Sequence, residues 1–190
     1  MITGHVGIAF GARALDKRAA AARAPLPWLF AASVAPDMLD GVYSVARYCN
    51  ENGAYSHSLP AVALLSLLFG AAAYVHTRSG TTAMLVAVLV VLHLPADYVT
   101  GHKALWPGGP VWGLYIYRWP WVDFLVELPV IVTGWWMLRR SGHTPRRTVS
   151  VLALAMWILV QGFFDVAGKA GPSQGCRQTL PGGEVSWRRL

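Results

Sequence analysis

The chain has 190 residues, 55% of them hydrophobic and only 13% charged, with a net charge of +7 from 16 Lys plus Arg against 9 Asp plus Glu. Soluble domains carry about 25% charged residues, so this composition excludes a disordered chain, a collagen and a coiled coil, and argues against an ordinary soluble enzyme. Two cysteines are too few for a disulfide scaffold and lack zinc-motif spacing.

The chain opens with a short apolar piece, Ile2 to Ala12, which ends at Arg13. A second, Pro25 to Pro36, ends at Asp37. Each is too short to cross a bilayer alone, because a spanning helix needs about 20 mostly apolar residues. Between them stand Arg13, Asp16, Lys17, Arg18 and Arg23, read as a helix end and a turn. If the two pieces form a hairpin, each about 15 Å long, the chain dips in and comes back, and His5 and Asp37 reach one end. No signal peptide is visible: no basic residue precedes Arg13.

Four longer apolar runs follow: Ser58 to Val75, Gly80 to Ala96, Trp121 to Leu138 (carrying Asp123 and Glu127), and Thr148 to Phe164. All sit at the short end of the spanning range. They predict an all-α integral membrane bundle with about four spanning helices and a short N-terminal helical pair. A soluble bundle with fully buried helices is the alternative. Residues 1–170 form one helical domain in this reading, and 171–190, rich in Gly, Pro and polar residues, form a flexible tail.

Between the second and third runs lies WPGGPVWGLYIYRWPW, with Trp106, Trp112, Tyr115, Tyr117, Trp119 and Trp121. Trp and Tyr favour the headgroup level. An interfacial loop that meets lipid and an aromatic mini-core are both open.

Alternating helices put Arg78, Arg139, Arg140, Arg146 and Arg147 at one end, joined by Arg13, Lys17, Arg18 and Arg23 if the hairpin forms. By the positive-inside rule that end is cytoplasmic. Arginines beside apolar runs favour lipid and topology over nucleic acid, so no direct nucleic-acid binding is expected. The other end receives His5, Asp37, Asp40, His57, Asp97, His102, Asp123 and Glu127. Arg47, Lys103 and Arg118 also fall there, and His76 and His143 lie at the basic end.

His93 and Asp97, at i and i+4, share one helix face at the end of an apolar run, where an unpaired charge is expensive. Pro95 between them frees a carbonyl one turn earlier. The pair is either a hydrogen-bonded helix end or part of a metal grip. Carboxylates mixed with imidazoles, without cysteine, suit Zn, Mn or Fe, and an open metal position lowers the pKa of a bound water toward about 7.

The ordered strings TGH (3–5), PDMLD (36–40), SHS (56–58), HLPAD (93–97) and TGHKALWP (100–107) resemble the membrane-bound metal-dependent hydrolases, small inner-membrane proteins of which one branch is described as LexA-binding. That family is in turn thought to be distantly similar to the all-helical zinc-dependent phospholipase C fold. The resemblance covers residues 1 to about 130. It implies that Asp37, His57, His93 and Asp97 hold a first metal, with Asp37 and Asp97 as catalytic carboxylates. It further implies that His5 shares Asp97 with a second ion, and that His102 and Glu127 contribute to another. The sequence departs from the family's H-R-x-x-x-H-S string, since Asn52 or Glu51 stands where the first His belongs. The function implied is metal-dependent hydrolysis, most simply of a lipid or lipid-linked phosphoester, with membrane lipid as surroundings; the charge sorting puts the site on the non-cytoplasmic face of the inner membrane. A non-catalytic metal-binding or transport protein is the alternative, and a haem protein fits less well because these histidines lie near one end rather than facing each other at mid-membrane.

Overall fold

The computed structural model describes residues 2–18, 23–142, 147–167, 175–179 and 185–189. Seven helices lie among them: α1 (Ile2–Leu15), α2 (Leu26–Ser33), α3 (Ala35–Val45), α4 (Leu59–Thr77), α5 (Gly80–Thr100), α6 (Pro120–Arg140) and α7 (Arg147–Ala167). Two antiparallel hairpins complete the described chain: β1 (Lys103–Ala104) with β2 (Val111–Trp112), and β3 (Gly175–Thr179) with β4 (Val185–Arg189). The second hairpin falls in the stretch 171–190, read from sequence as a flexible tail. The rest of that stretch lies outside the described residues.

Helices α4, α5 and α6 are long and apolar enough to cross a membrane. The fourth expected span is helical as α7, but its described apolar part, Val151–Phe163, is shorter than a span. The α4–α5 connection is tight. Arg78 takes a left-handed conformation at the end of α4, and the Ser79 side chain caps α5 by accepting from the Thr82 N–H. Such a cap satisfies one of the donors a helix start leaves open.

The N-terminal pieces go in and return. At the far end of α1, Arg18 Nη1 reaches Ser79 Oγ and Thr82 Oγ1 at the start of α5. Asp16 ties the turn by accepting from Arg18 Nε (2.8 Å), Arg18 Nη2 (2.7 Å) and the Ala24 N–H (2.9 Å). Helix α2 starts beside α4's last turn, where the Trp28 and His76 rings lie 5.8 Å apart, and climbs back. The apolar piece that ends at Pro36 is not one helix. The backbone breaks at Val34 (φ −113°), and Pro36 sits in the first turn of a new helix, α3. Proline is tolerated there because that turn's N–H groups have no intrahelical partner.

Helix α1 packs on α6 backbone to backbone. A Cβ on Gly7 would lie 2.6 Å from the Val130 carbonyl oxygen, and one on Gly134 would collide with the Gly7 carbonyl. Glycine at both positions brings His5, two residues before Gly7, down against the bundle axis. Helix α6 also supplies Glu127, whose Oε2 accepts from Thr3 Oγ1 (2.9 Å) and the Gly4 N–H (3.1 Å). Thr3 Oγ1 lies 2.6 Å from Gln161 Oε1 as well, so one buried polar knot joins α1, α6 and α7.

The aromatic stretch folds over the end of α5. The Leu114 and Tyr115 N–H groups donate to the carbonyls of Tyr98 and Gly101, each at 2.9 Å. All six of its Trp and Tyr side chains are exposed, from 38% at Tyr117 to 75% at Trp121, so they do not form a buried mini-core.

Candidate metal centre

Three elements deliver four side chains to one point. Asp37 stands in the first turn of α3, His57 in the loop before α4, and His93 and Asp97 on one face of α5. Each offers one ligand atom, and these atoms all lie within 4.8 Å of one another. His57 Nε2 is 3.2 Å from Asp37 Oδ1 and 3.1 Å from Asp97 Oδ2. His93 Nε2 is 3.6 Å from the same two oxygens. Three of the four are fully buried, and Asp37 is the most open, with a side chain 19% exposed.

The second nitrogen of each imidazole is held from behind. His93 Nδ1 lies 2.8 Å from the Ser33 carbonyl, the last residue of α2. A carbonyl only accepts, so Nδ1 carries the proton and donates. In the neutral ring, Nε2 then presents a lone pair to two carboxylate oxygens, and it has no hydrogen-bond partner. His57 Nδ1 lies 2.7 Å from Ser56 Oγ, which accepts from Asn50 Nδ2 at 2.7 Å. Asn50 Nδ2 also donates to Asp40 Oδ1 (2.6 Å), and Asn50 Oδ1 accepts from the Tyr55 N–H. The loop bends on Gly53 (φ +66°), where a Cβ would press on the His57 side chain at 2.9–3.2 Å. Only glycine combines that backbone conformation with that contact.

Two imidazole nitrogens and two carboxylate oxygens converge on one point with supporting bonds behind. This donor set could hold a divalent metal ion. Burial alone would raise the Asp37 carboxyl. Hydrogen bonds from His57 and His93 outweigh it and hold the group well below the usual carboxylate range, in the charged form a metal requires.

The remaining site residues named from sequence fall in different places. His5 stacks on His93 with ring centroids 3.6 Å apart, and its Nε2 lies 3.0 Å from the other oxygen of Asp97. It therefore touches the centre but belongs to a second layer. Its Nδ1 is buried with no partner. Glu127 is engaged with Thr3 and Gly4, and the described residues do not bring it into the four-ligand group. His102 faces the Tyr115 ring at 5.4 Å, also outside that group. The first His of the family string has no counterpart. Asn52 occupies its place in a left-handed turn (φ +50°), and Asn50 supports the His57 loop instead.

Sequence reasoning missed the supports Ser33, Asn50 and Ser56, and it missed Lys103, whose Nζ lies 3.4 Å from Asp97 Oδ2. Ser33 acts through its backbone and leaves no side-chain signal. Lys103 was legible as a basic residue at the site end, following His102 in TGHK, but not as a member of the site.

Compared with known families, residues 1–168 match the one described as YdjM inner membrane protein. No curated protein and no solved structure matches the chain.

Proposed function

The chain belongs to the YdjM inner membrane protein family, and on that premise we propose that it is a membrane-bound metal-dependent hydrolase acting on a phosphoester of a lipid or lipid-linked compound. The observation that carries the reading is the His93 ring. Its proton is committed to Ser33, and its free nitrogen points at two carboxylates. A lone pair against two carboxylates is repulsive unless a second ring proton or a metal ion lies between them, and the convergence of His57 on the same two oxygens favours the ion.

A divalent ion here supplies Lewis acidity and lowers the pKa of water toward about 7. The chain's own residues do the rest. His57 and His93 fix two directions of approach. Asp97 would hold the ion through Oδ2, while its Oδ1 engages His5. Asp37, the most open of the four, would accept a proton from a water held in the site at its second oxygen, Oδ2, which has no hydrogen-bond partner. The exposed Trp and Tyr side chains beside the site suit the headgroup layer, which supports a lipid phosphate as the substrate.

The competing reading is a non-catalytic metal-binding or transport site. Four protein ligands can close a tetrahedron and leave no position for water. The test is the purified protein in mild detergent, analysed for metal and assayed on a chromogenic phosphodiester. Stoichiometric metal with turnover that disappears in His93→Ala supports hydrolysis. Stoichiometric metal with no turnover on phosphoesters of any size favours the closed site.

We place the site on the non-cytoplasmic face. Arg13, Arg18, Arg78, Arg139 and Arg140 lie toward the end of the bundle opposite the metal centre, and positive loops mark the cytoplasmic side. Cys49, in the loop between α3 and α4 at the site end, is disulfide-bonded, a state favoured outside the reducing cytosol.

A further inference from the structure

We infer that Lys103 forms an anion subsite beside the metal, which takes a phosphate-type oxyanion and turns away neutral esters and amides. The inference rests on the metal reading above and adds to it the charge of the substrate. Lys103 Nζ lies 3.4 Å from Asp97 Oδ2, the oxygen that also faces His57 and His93. Its side chain is 18% exposed, so the stem is mostly buried and the charged tip ends at the centre.

The backbone places it there. Lys103 pairs with Trp112 across the β1–β2 hairpin, and the Leu59 N–H donates to the Leu105 carbonyl, which pins this hairpin to the start of α4. Gly101 leaves room for the stem, because a Cβ there would lie 3.3 Å from Lys103 Cε. Gly113 allows the aromatic stretch to close over the same point, since a Cβ on it would collide with the Gly101 carbonyl.

The charge count then decides the ligand. Asp37 and Asp97 contribute two negative charges, and a divalent ion cancels them. Once Asp97 Oδ2 turns to the ion, Lys103 is a surplus cation with three N–H donors at the edge of the site. A compact ammonium of this kind binds phosphate as a point charge. A neutral ester has nothing to offer it, and the desolvated charge would oppose its binding.

The experiment uses full-length protein in detergent micelles, loaded with zinc, as wild type, K103M and K103R. Inorganic phosphate and a short-chain phosphatidic acid below its micellar concentration are titrated in parallel, and zinc content is measured on the same samples. K103M should keep its zinc and lose about tenfold or more in phosphate affinity, and K103R should recover most of it. Tighter binding of the lipid than of phosphate assigns the lipid as the source, and equal binding assigns the free anion. Wild-type protein that takes up no zinc overturns the metal reading and this inference with it. Zinc-loaded protein whose phosphate affinity is the same in K103M overturns the subsite alone. A K103M sample that loses zinc while K103R keeps it also overturns the subsite, because Lys103 would then serve the metal's own fold.

Discussion

The His93 ring donates to the Ser33 carbonyl at 2.8 Å, and this one bond between α5 and the last residue of α2 decides which nitrogen faces Asp37 and Asp97. The N-terminal helical pair is therefore part of the site. It supplies His5 from α1 and the orienting carbonyl from α2, and α3 continues from it with Asp37.

Removing a ligand should remove the ion. His57→Ala and His93→Ala are each expected to bring metal content from near one ion per chain to background, with helicity by circular dichroism preserved. Loss of a supporting partner alone weakens metal affinity about 10–100-fold, so loss of a ligand should exceed that. Retention of full metal by either variant would sink the four-ligand centre.

Ser56 and Asn50 give a subtler test. Ser56→Ala leaves His57 Nδ1 without its partner, and Asn50→Ala releases both Ser56 and Asp40. Each should weaken zinc about 10–100-fold in a competitive chelator titration while all four ligands remain. Unchanged affinity in both would mean that the loop does not orient the ring.

Much of this centre was legible in the sequence, for local reasons. The i, i+4 spacing of His93 and Asp97 fixes one helix face, and a polar residue at the end of an apolar run has to find a partner. The charge sorting placed His5, Asp37 and His57 at the same end. What stayed illegible depended on contacts between distant segments. A backbone carbonyl has no residue signature, so Ser33 was invisible. Glu127 shares a helix face with Asp123, but its capture by the α1 N-terminus is a consequence of the Gly7–Gly134 approach. The break at Val34 was missed because an apolar composition continues straight across it.

That glycine approach makes a prediction about packing. Gly134→Ala should push α1 off α6, because its Cβ would meet the Gly7 carbonyl, which cannot swing away as a side chain could. Overpacking of this kind costs about 1–3 kcal/mol. A fall in detergent melting temperature should accompany weaker metal binding, since His5 moves with α1. A control at Gly11, where a Cβ would meet nothing, should leave both unchanged.

The turn between α1 and α2 should carry a pH dependence of its own. The Arg18 hydrogen bonds hold the Asp16 carboxyl well below its usual range. A carboxyl depressed in the folded state stabilises the fold above its unfolded pKa of about 3.9, and that contribution fades as pH falls through the folded value. Asp16→Asn should therefore melt lower than wild type at pH 7, and the gap should narrow once pH drops below about 4. A gap that stays constant down to acid pH would show that the charge of Asp16 does not matter.

Orientation is tested by labelling single cysteines on intact cells, in a background lacking Cys49 and Cys176. Trp112 is 62% exposed in β2 at the metal end, and Arg140 is exposed at the last turn of α6 on the basic end. With a membrane-impermeant reagent, Trp112→Cys should label and Arg140→Cys should label only after permeabilisation. The positive-inside bias supports this, because Arg139 and Arg140 close α6 with no acid in its last turn. Cations there also complement the negative end of the helix dipole, so their presence has a structural cause that labelling separates from topology. The reverse pattern would turn the centre to the cytoplasm, where a soluble phosphoester replaces the lipid as substrate. The geometry of Asp37, His57, His93 and Asp97 would be the same in either orientation, so metal content should not change with the outcome.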